Sequence, residues 1–445
     1  MMTIAAFFRI RDAGRPFNVT GLLLSACFLL LILHLSYSIA PVLDGNVRRT
    51  LFLGASLLFF PVLLATFLIC AATRAPWPVS PVSDRGLQSI CAGFAVTVVG
   101  SALYFSFPNA IALPSVVAFA VLNFLLWRRG GIVHVVYGTL AVAVLLLAVK
   151  ALGPDPNGAD MLPLIKWTNQ TFLAGRNPYD EHNTFYLPVQ WLLYLPLVGL
   201  GLDQRLLNLF SLFGCLALFA AALRGSSYRV ACLAVFAGLC ASRPAVEMMA
   251  QGEVWPVWLI LSGYAFALST GRHWLAAVLV GVLLAMHQPF LLLFALAGIY
   301  DLRAFGLRKA VLLGIVSLSV YAVFVLSFSR GSMDFFVWIY ITLPHLAAGV
   351  AEQFSQNSTQ QISLVSILVV SGLSDLRQGL QVLCGVRGIA LVTWPRTMDR
   401  PRFLATAGLS YIFALALNVM VFKILPAYAL ASANLRLLTH KRRPA

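Results

Sequence analysis

The sequence predicts an all-α polytopic membrane protein with about 11 to 13 membrane helices, several of them short or broken. Of its 445 residues, 60% are apolar and only 10% are charged, and the mean hydropathy is +0.88. A soluble domain usually has about a quarter of its residues charged. Because one aqueous core cannot bury this much apolar surface, we expect lipid to solvate much of it.

The charge balance is strongly basic, with 31 Lys and Arg against 15 Asp and Glu. In membrane proteins such residues gather in short cytoplasmic loops and near anionic lipid heads, so membrane lipids are expected partners. Nucleic acid is not an expected partner, because no basic run is interleaved with an aromatic platform. The seven cysteines are scattered through apolar segments without paired spacing, which predicts neither a disulfide framework nor a metal site.

Continuous apolar runs in the first third of the chain are each long enough to span a bilayer, which takes about 20 residues. Charged residues or Gly and Pro bound them. They cover residues 20–41, 51–72, 87–106, 109–127 and 131–151. If Arg9, Arg11 and Arg15 mark a cytoplasmic N-terminus, alternation of the spans delivers the segment 152–186 to the outer face.

After residue 186 the apolar runs shorten, and several are too short to cross a bilayer alone. Three basic clusters follow, near residues 224–229, 272–273 and 303–309. All three can lie on the cytoplasmic side of the membrane only if the helices between them pair as short hairpins. The hairpin tips would be the sequences GEVWP (252–256) and MHQP (286–289). We expect these tips to line a cavity on the outer side.

The segment 158–188 is unusually polar for this chain. Apolar residues recur between Asp160 and Gly175, which predicts an amphipathic helix that lies in the membrane interface and ends at Gly175. Asp160 would then lie at the N-terminus of this helix and face a membrane cavity. The alternative is an ordinary solvated loop carboxylate.

Several short motifs, in this order, resemble those of glycosyltransferase family 87. Asp160, LAGRNPY (173–179) and FYLP (185–188) are similar to that family's first outer loop. QGE (251–253) resembles the start of one of that family's helices, and GVLLAMHQP (281–289) resembles the end of another. QNSTQ (356–360) resembles a motif in a late outer loop of the family. The chain departs from the pattern in having His287 where Lys is usual and in lacking a Tyr shortly after the Asp.

The resemblance implies a GT-C-like fold and a polyprenyl-phosphate-sugar-dependent hexosyl- or pentosyltransferase, such as a mannosyl- or arabinosyltransferase. The sugar would pass with inversion from a polyprenyl-phosphate donor to a lipid-linked or cell-envelope glycan, with Asp160 as general base and with no cofactor or divalent metal. The catalytic core would be residues 131–445 with the outer loop 152–186, and residues 1–130 would be added helices. The expected location is the bacterial inner membrane, with the active site facing the periplasm.

Eight further residues are candidates for binding the substrates. They are Tyr179, Arg243, Gln251, Glu253, His287, Gln288, Asn357 and Lys423. For three of them a plain structural role competes. His287 either binds phosphate or satisfies a backbone carbonyl at a helix break, Arg243 binds phosphate or forms an ion pair, and Lys423 neutralises the carrier phosphate or reaches to the interface.

Two other classes of function remain open at the level of sequence. A transporter or flippase of lipid-linked saccharides also uses broken helices, although it would not require the Asp160 loop and no inverted repeat is visible. A glycan polymerase or ligase shares an outer cavity. A noncatalytic relative is the remaining alternative, given the altered motifs.

Overall fold

The computed structural model of the chain describes most residues between 19 and 413. The described residues are 19–72, 84–153, 161–180, 184, 186–224, 226, 228–329, 333–342, 362–373, 376, 380, 403–404, 406–410 and 413. All regular elements in these ranges are helices. Six of the described helices are long and apolar enough to cross a membrane, or seven if one bent pair counts as a span, so the protein is a polytopic membrane protein.

The N-terminal helices follow the predicted runs closely. They are α1 (Val19–Ile39), α2 (Gly45–Ala72), α3 (Asp84–Ser106) and α4 (Asn109–Leu152). The first three match the predicted spans 20–41, 51–72 and 87–106, and α4 contains the other two. Each forms because a long apolar stretch in lipid must satisfy its backbone hydrogen bonds internally.

The long element α4 is a hairpin of two helices. Its backbone leaves helical geometry at Gly130 (φ −155°, ψ 17°) and Gly131 (φ 64°, ψ −151°). The Thr139 hydroxyl donates to Asn123 Oδ1 at 3.2 Å, whereas in a straight helix residues sixteen positions apart would be separated by about 24 Å. The two legs of the hairpin correspond to the predicted runs 109–127 and 131–151.

The second half of the chain consists of shorter helices, as predicted. They are α5 (Met161–Leu173), α6 (Pro188–Leu192), α7 (Leu195–Gly199), α8 (Arg205–Ala222), α9 (Arg229–Ala241), α10 (Arg243–Gln251), α11 (Val254–Ser269), α12 (His273–Leu284), α13 (Phe290–Phe305), α14 (Leu307–Ser329), α15 (Met333–Val337) and α16 (Leu364–Val370). A π-helical turn, Trp338–Thr342, follows α15. Between α9 and α10 the axis bends by 58°.

Contacts between helix ends define two ends of the bundle. Arg205 Nη1, at the start of α8, donates to Gly153 O after the end of α4 at 2.6 Å, and Asn177 Nδ2 donates to Phe328 O near the end of α14 at 2.9 Å. We call this the loop end. The opposite end carries most of the basic residues at helix ends and is called the arginine end. Its basic residues are Arg85, Arg128, Arg129, Arg224, Arg229, Arg272, Arg303, Arg308 and Lys309.

The N-terminal helices share one hydrophobic core with later helices. His34 Nε2 of α1 lies 2.6 Å from Ser101 Oγ of α3, and its Nδ1 accepts from the backbone N–H of Arg243 at 3.1 Å. The division at residue 130 into added helices and catalytic core stays a prediction. The contacts show that α1 and α3 pack directly against α9 and α10.

The hairpin turn of α4 depends on glycine. Gly131 occupies a backbone region that is essentially restricted to glycine, so Gly131→Ala is expected to destabilise the protein by about 1–3 kcal/mol. The check is the thermal melting midpoint of the purified protein in detergent. Gly93→Ala, in open space on α3, is the matched control and should be neutral or slightly stabilising. Equal midpoints for Gly131→Ala and wild type would contradict the prediction.

Candidate functional site

The helix predicted after Asp160 is present as α5 (Met161–Leu173), and its end is a helix cap that requires glycine. Its position in the membrane interface stays a prediction. Gly175 adopts φ +77°. The N–H of Arg176 donates to Thr171 O at 3.1 Å and that of Gly175 to Phe172 O at 2.9 Å. This 6→1 and 5→2 pair of bonds is a Schellman motif. The prediction that Gly175 caps the helix is therefore confirmed.

The face that α5 buries differs from a simple apolar stripe. Thr168 and Asn169 are fully buried beside Ile165. The Asn169 side chain donates to Ile165 O and to Trp191 O, both at 3.0 Å. Protein therefore covers this face of α5. The helix contacts the segment 186–191 both through apolar side chains and through the hydrogen bond from Asn169 to Trp191 O.

The RNPY turn that follows α5 is held by Asn177 and Tyr179. Asn177 Oδ1 accepts from the Tyr179 N–H at 3.2 Å, besides the bond from its Nδ2 to Phe328 O. The Tyr179 hydroxyl donates to Tyr186 O at 2.7 Å and accepts from Trp191 Nε1 at 3.1 Å. Burial raises the pKa of Tyr179, so the hydroxyl is protonated. These bonds give Tyr179 a structural task, and its predicted contact with substrate stays a prediction.

The segment 186–191 joins both predicted hairpin tips. The N–H of Val189 donates to Ala285 O at 3.1 Å, and Gln190 Nε2 donates to Glu253 O at 2.9 Å. The ring of Tyr186 lies edge-on to that of His287, with 6.0 Å between the centroids. The stretches FYLP, QGE and MHQP, which are distant in sequence, therefore meet at the loop end.

A second carboxamide fixes the QGE tip from the other side. Asn208 Nδ2 donates to Met249 O at 3.1 Å and to Gly252 O at 2.8 Å, while its Oδ1 accepts from the Tyr194 hydroxyl at 3.0 Å. Neither Asn208 nor Gln190 nor Asn169 was a candidate from the sequence. A lone carboxamide within an apolar run was the available signal, because such a group in a membrane helix has to find a partner.

Some buried polar atoms of this layer have no hydrogen-bond partner within the described residues. They are Asn169 Oδ1, Gln190 Oε1, Trp255 Nε1 and Trp258 Nε1. Buried polar groups in native proteins are nearly always satisfied by protein, water or ligand. This layer therefore offers both acceptors and donors to water or to the hydroxyl groups of a ligand.

Asp160 lies outside the described residues. Residues on both sides of its segment, Gly153 and Leu162, accept hydrogen bonds from one turn, residues 203–205. Arg205 Nη1 donates to Gly153 O, and the Asp203 carboxylate accepts from Arg205 Nε at 3.0 Å. With its amide oriented to satisfy both groups, Gln204 donates to Leu162 O at 2.8 Å and accepts from the Lys166 N–H at 3.1 Å. We call residues 203–205 the clamp.

Within the clamp, Asp203 and Arg205 form an ion pair that is partly exposed to water. Burial of Asp203 opposes its ionisation, but the hydrogen bonds and the positive charge of Arg205, together with Lys166, outweigh this effect and lower the pKa of Asp203. The Arg205 side chain is only 10% exposed, because its guanidinium group contacts the Asp203 carboxylate and Gly153 O.

The remaining candidates fall into three groups. Gln251, Glu253, His287 and Gln288 lie at the two joined tips, with Glu253 fully buried and Gln288 Nε2 donating to Ile339 O at 3.4 Å. Arg243 lies at the same end, where it forms the predicted alternative, an ion pair with Glu247 at 2.6 Å, and donates to Phe105 O at 3.3 Å. Asn357 and Lys423 lie outside the described residues, as does Glu181.

No cluster of three or more His, Cys, Asp and Glu side chains suited to a metal ion occurs in the part of the chain that the structure describes. The site is thus a polar layer of carboxamides, hydroxyls and indoles with one imidazole and one buried carboxyl group. Such a layer can bind and orient hydroxyl groups. For an acid–base step, the sequence candidate is Asp160, which directly precedes α5.

Loss of the Tyr179 hydroxyl should loosen the loop end. Tyr179→Phe leaves a buried carbonyl of Tyr186 and a buried indole N–H of Trp191 without their partner, which is expected to cost about 1–3 kcal/mol. The melting midpoint measures the effect. Tyr104→Phe, at an exposed position of α3, serves as the control and should stay within about 0.5 kcal/mol of wild type. Equal effects of the two substitutions would refute this role.

The clamp should act only while Asp203 is ionised. Its folded pKa lies below the unfolded value of about 3.9, so it stabilises the folded protein above that pH and loses the contribution as the pH falls through the folded pKa. Asp203→Asn should therefore lower the melting midpoint at pH 6, with the gap to wild type closing as the pH falls below the unfolded value and through the folded pKa. Asp44→Asn, an exposed carboxylate at the loop end, should show no such gap. A pH-independent gap for Asp203→Asn would contradict the assignment.

Comparison of the chain with protein-family models, with curated proteins and with solved structures finds no match. The resemblance of its motifs to glycosyltransferase family 87 therefore stays a prediction. The contacts that join residues 186–191 to the two hairpin tips belong to this chain itself, and they are the basis on which a function can be argued.

Proposed function

We propose that the protein is a GT-C-like membrane glycosyltransferase that moves a sugar from a polyprenyl-phosphate donor to a hydroxyl group of a lipid-linked or cell-envelope glycan. One observation carries the proposal. The three stretches whose sequences resemble family 87, around residues 186–190, 251–253 and 285–289, are joined at the loop end through Val189 and Gln190. Motifs that serve one reaction have to lie close together, and these contacts support the proposal because they bring the three stretches together.

The reaction is a single displacement. The Asp160 carboxylate takes the proton of the acceptor hydroxyl, whose oxygen attacks the anomeric carbon. The bond from that carbon to the phosphate oxygen breaks, and polyprenyl phosphate leaves with the electron pair. One displacement inverts the anomeric configuration, and one carboxylate base suffices for it. A positioned base of this kind contributes about 10²–10⁴-fold to the rate.

The other groups at the loop end bind and orient. Asn169 Oδ1 and Gln190 Oε1 can accept hydrogen bonds from sugar hydroxyls, because neither atom has a partner among the described residues. His287, beside Tyr186, is the proposed donor to the departing phosphate. Gln251, Glu253 and Gln288 line the joined tips and complete the sugar contacts. Arg243 is already paired with Glu247, so it acts on the phosphate only if that pair opens.

In this proposal the clamp has a positioning role. It holds Gly153 and Leu162, which flank the segment of Asp160, through Arg205 and Gln204. A general base has to lie within hydrogen-bond reach of the proton that it removes, and small misplacements are costly. The clamp is therefore proposed to position Asp160 rather than to touch the substrate.

The proposed location is the bacterial inner membrane, with the loop end on the periplasmic side. Of the 16 described Lys and Arg residues, nine lie at the arginine end and seven at the loop end, an excess in the direction that cytoplasmic loops show. The donor would then be used on the periplasmic face of the membrane.

Transfer should depend on Asp160 and on no other carboxylate of its segment. Purified protein in vesicles is given radiolabelled polyprenyl-phosphate sugars and a lipid-linked glycan acceptor, with and without a metal chelator. Asp160→Asn should lower the rate by at least about 10²-fold, and Asp155→Asn, five positions earlier, should retain it. The product should have the inverted anomeric configuration, and the chelator should have no effect.

Full transfer by Asp160→Asn would refute the assignment of the base. Absence of transfer by the wild-type protein with every donor, together with movement of a lipid-linked saccharide across the vesicle membrane, would replace the proposal with a flippase.

The orientation can be tested with two exposed leucines. Leu200, at the loop end, is 74% exposed and Leu307, at the arginine end, is 69% exposed. In a background with Cys70→Ser and Cys384→Ser, where the five described native cysteines are buried, Leu200→Cys should react with a membrane-impermeant maleimide in spheroplasts. Leu307→Cys should react only after lysis. The reverse pattern would place the loop end in the cytoplasm.

A further inference from the structure

A small open cleft lies between α11, α12, α13 and α14, at the end of the bundle opposite the loop end. His273 is the first residue of α12 and Asp301 is four residues before the end of α13, so the mouth of the cleft is level with the helix ends. In a membrane protein this is the level of the lipid headgroups. The proposed glycosyl transfer makes no use of this cleft.

The mouth of the cleft carries both signs of charge. The Asp301 carboxylate lines it, and no hydrogen bond or ion pair to this side chain occurs within the described ranges. On the rim, Lys309 Nζ lies 4.1 Å from the centroid of the Phe305 ring, and the His273 ring packs on the same ring at 4.3 Å. A carboxylate thus stands beside a cationic rim.

The interior of the cleft is apolar and has room at two glycines. Its walls include Ala276, Ala297 and Val280. A Cβ atom added at Gly298 or at Gly314 would meet no atom within 4 Å, so open space lies beside both. An apolar slot that continues inward from a charged mouth matches the shape of a phospholipid, with a hydrocarbon chain below a headgroup.

We propose that this cleft binds a phospholipid whose headgroup carries a primary ammonium group, of the phosphatidylethanolamine type. The ammonium group donates hydrogen bonds to Asp301, the phosphate lies against Lys309, and an acyl chain lies along the open groove beside Gly298 and Gly314.

Charge complementarity selects this headgroup over the other common ones. A purely anionic headgroup would bring its phosphate near Asp301 without an ammonium group to offset the repulsion. A quaternary ammonium group has no N–H to donate to the carboxylate. A simple cation bound at Asp301 would lie near the positive charge of Lys309. Only a headgroup with both an N–H-bearing cation and a phosphate satisfies the whole mouth.

The test counts lipids bound to the full-length protein. Protein stripped of lipid in detergent is titrated with phosphatidylethanolamine, phosphatidylcholine or phosphatidylglycerol of identical acyl chains, and native mass spectrometry gives the affinity for the first lipid bound. Wild type should bind phosphatidylethanolamine about tenfold more tightly than the other two, as one charge-assisted contact predicts. Asp301→Asn should remove this preference.

Asp84→Asn is the matched control, because it removes an exposed carboxylate from the same end of the bundle and should keep the preference. Gly314→Leu places a side chain in the groove, starting from a Cβ that meets no atom within 4 Å, and should weaken the binding of all three lipids, so it tests the cleft even if Asp301→Asn folds poorly. Equal affinities of wild type for the three lipids would overturn the proposal. So would an equal loss of preference in Asp84→Asn and Asp301→Asn, or unchanged binding by Gly314→Leu.

Discussion

A backbone carbonyl that loses its helical partner within a bilayer has no water to replace it, and leaving it unsatisfied costs several kcal/mol. At the loop end, buried carboxamides supply the missing donors. Asn169 binds Trp191 O, Gln190 binds Glu253 O, and Asn208 binds the carbonyls of Met249 and Gly252. Because each bond links segments far apart in sequence, these side chains decide how α5, the segment 186–191 and the QGE tip fit together.

The same constraint explains why buried carboxamides gather at the loop end of the described helices. Short helices that stop within the membrane expose backbone groups, and the side chains that satisfy these groups form a polar layer. Some atoms of this layer, such as Gln190 Oε1, have no hydrogen-bond partner among the described residues. A layer of this kind suits a hydroxyl-rich ligand. At the arginine end the helices reach their basic turns, and the features there, Asp301 and Lys309 at an apolar cleft, suit a lipid headgroup instead.

Much of the fold could be predicted because it depends on local pattern. The Gly130–Gly131 break, the helix that ends at Gly175 and the hairpin tips all follow from apolar run length, glycine and basic clusters. The partners of Asn208 and Gln190 could not, since they lie 41 to 63 positions away and depend on tertiary distances. The buried polar face of α5 was also missed, because sequence does not reveal that protein rather than water covers it.

The central claim is that the layer at the loop end is the site where the lipid-linked substrate reacts. Photoaffinity labelling tests it most directly, with a polyprenyl phosphate that carries a photoreactive group next to the phosphate and with the labelled peptides identified by mass spectrometry. The account predicts labels within residues 161–191, 251–256 and 285–289, and their loss when unmodified polyprenyl-phosphate sugar competes. Competed labels confined to the arginine end or to the lipid-facing surface of α14 would contradict it.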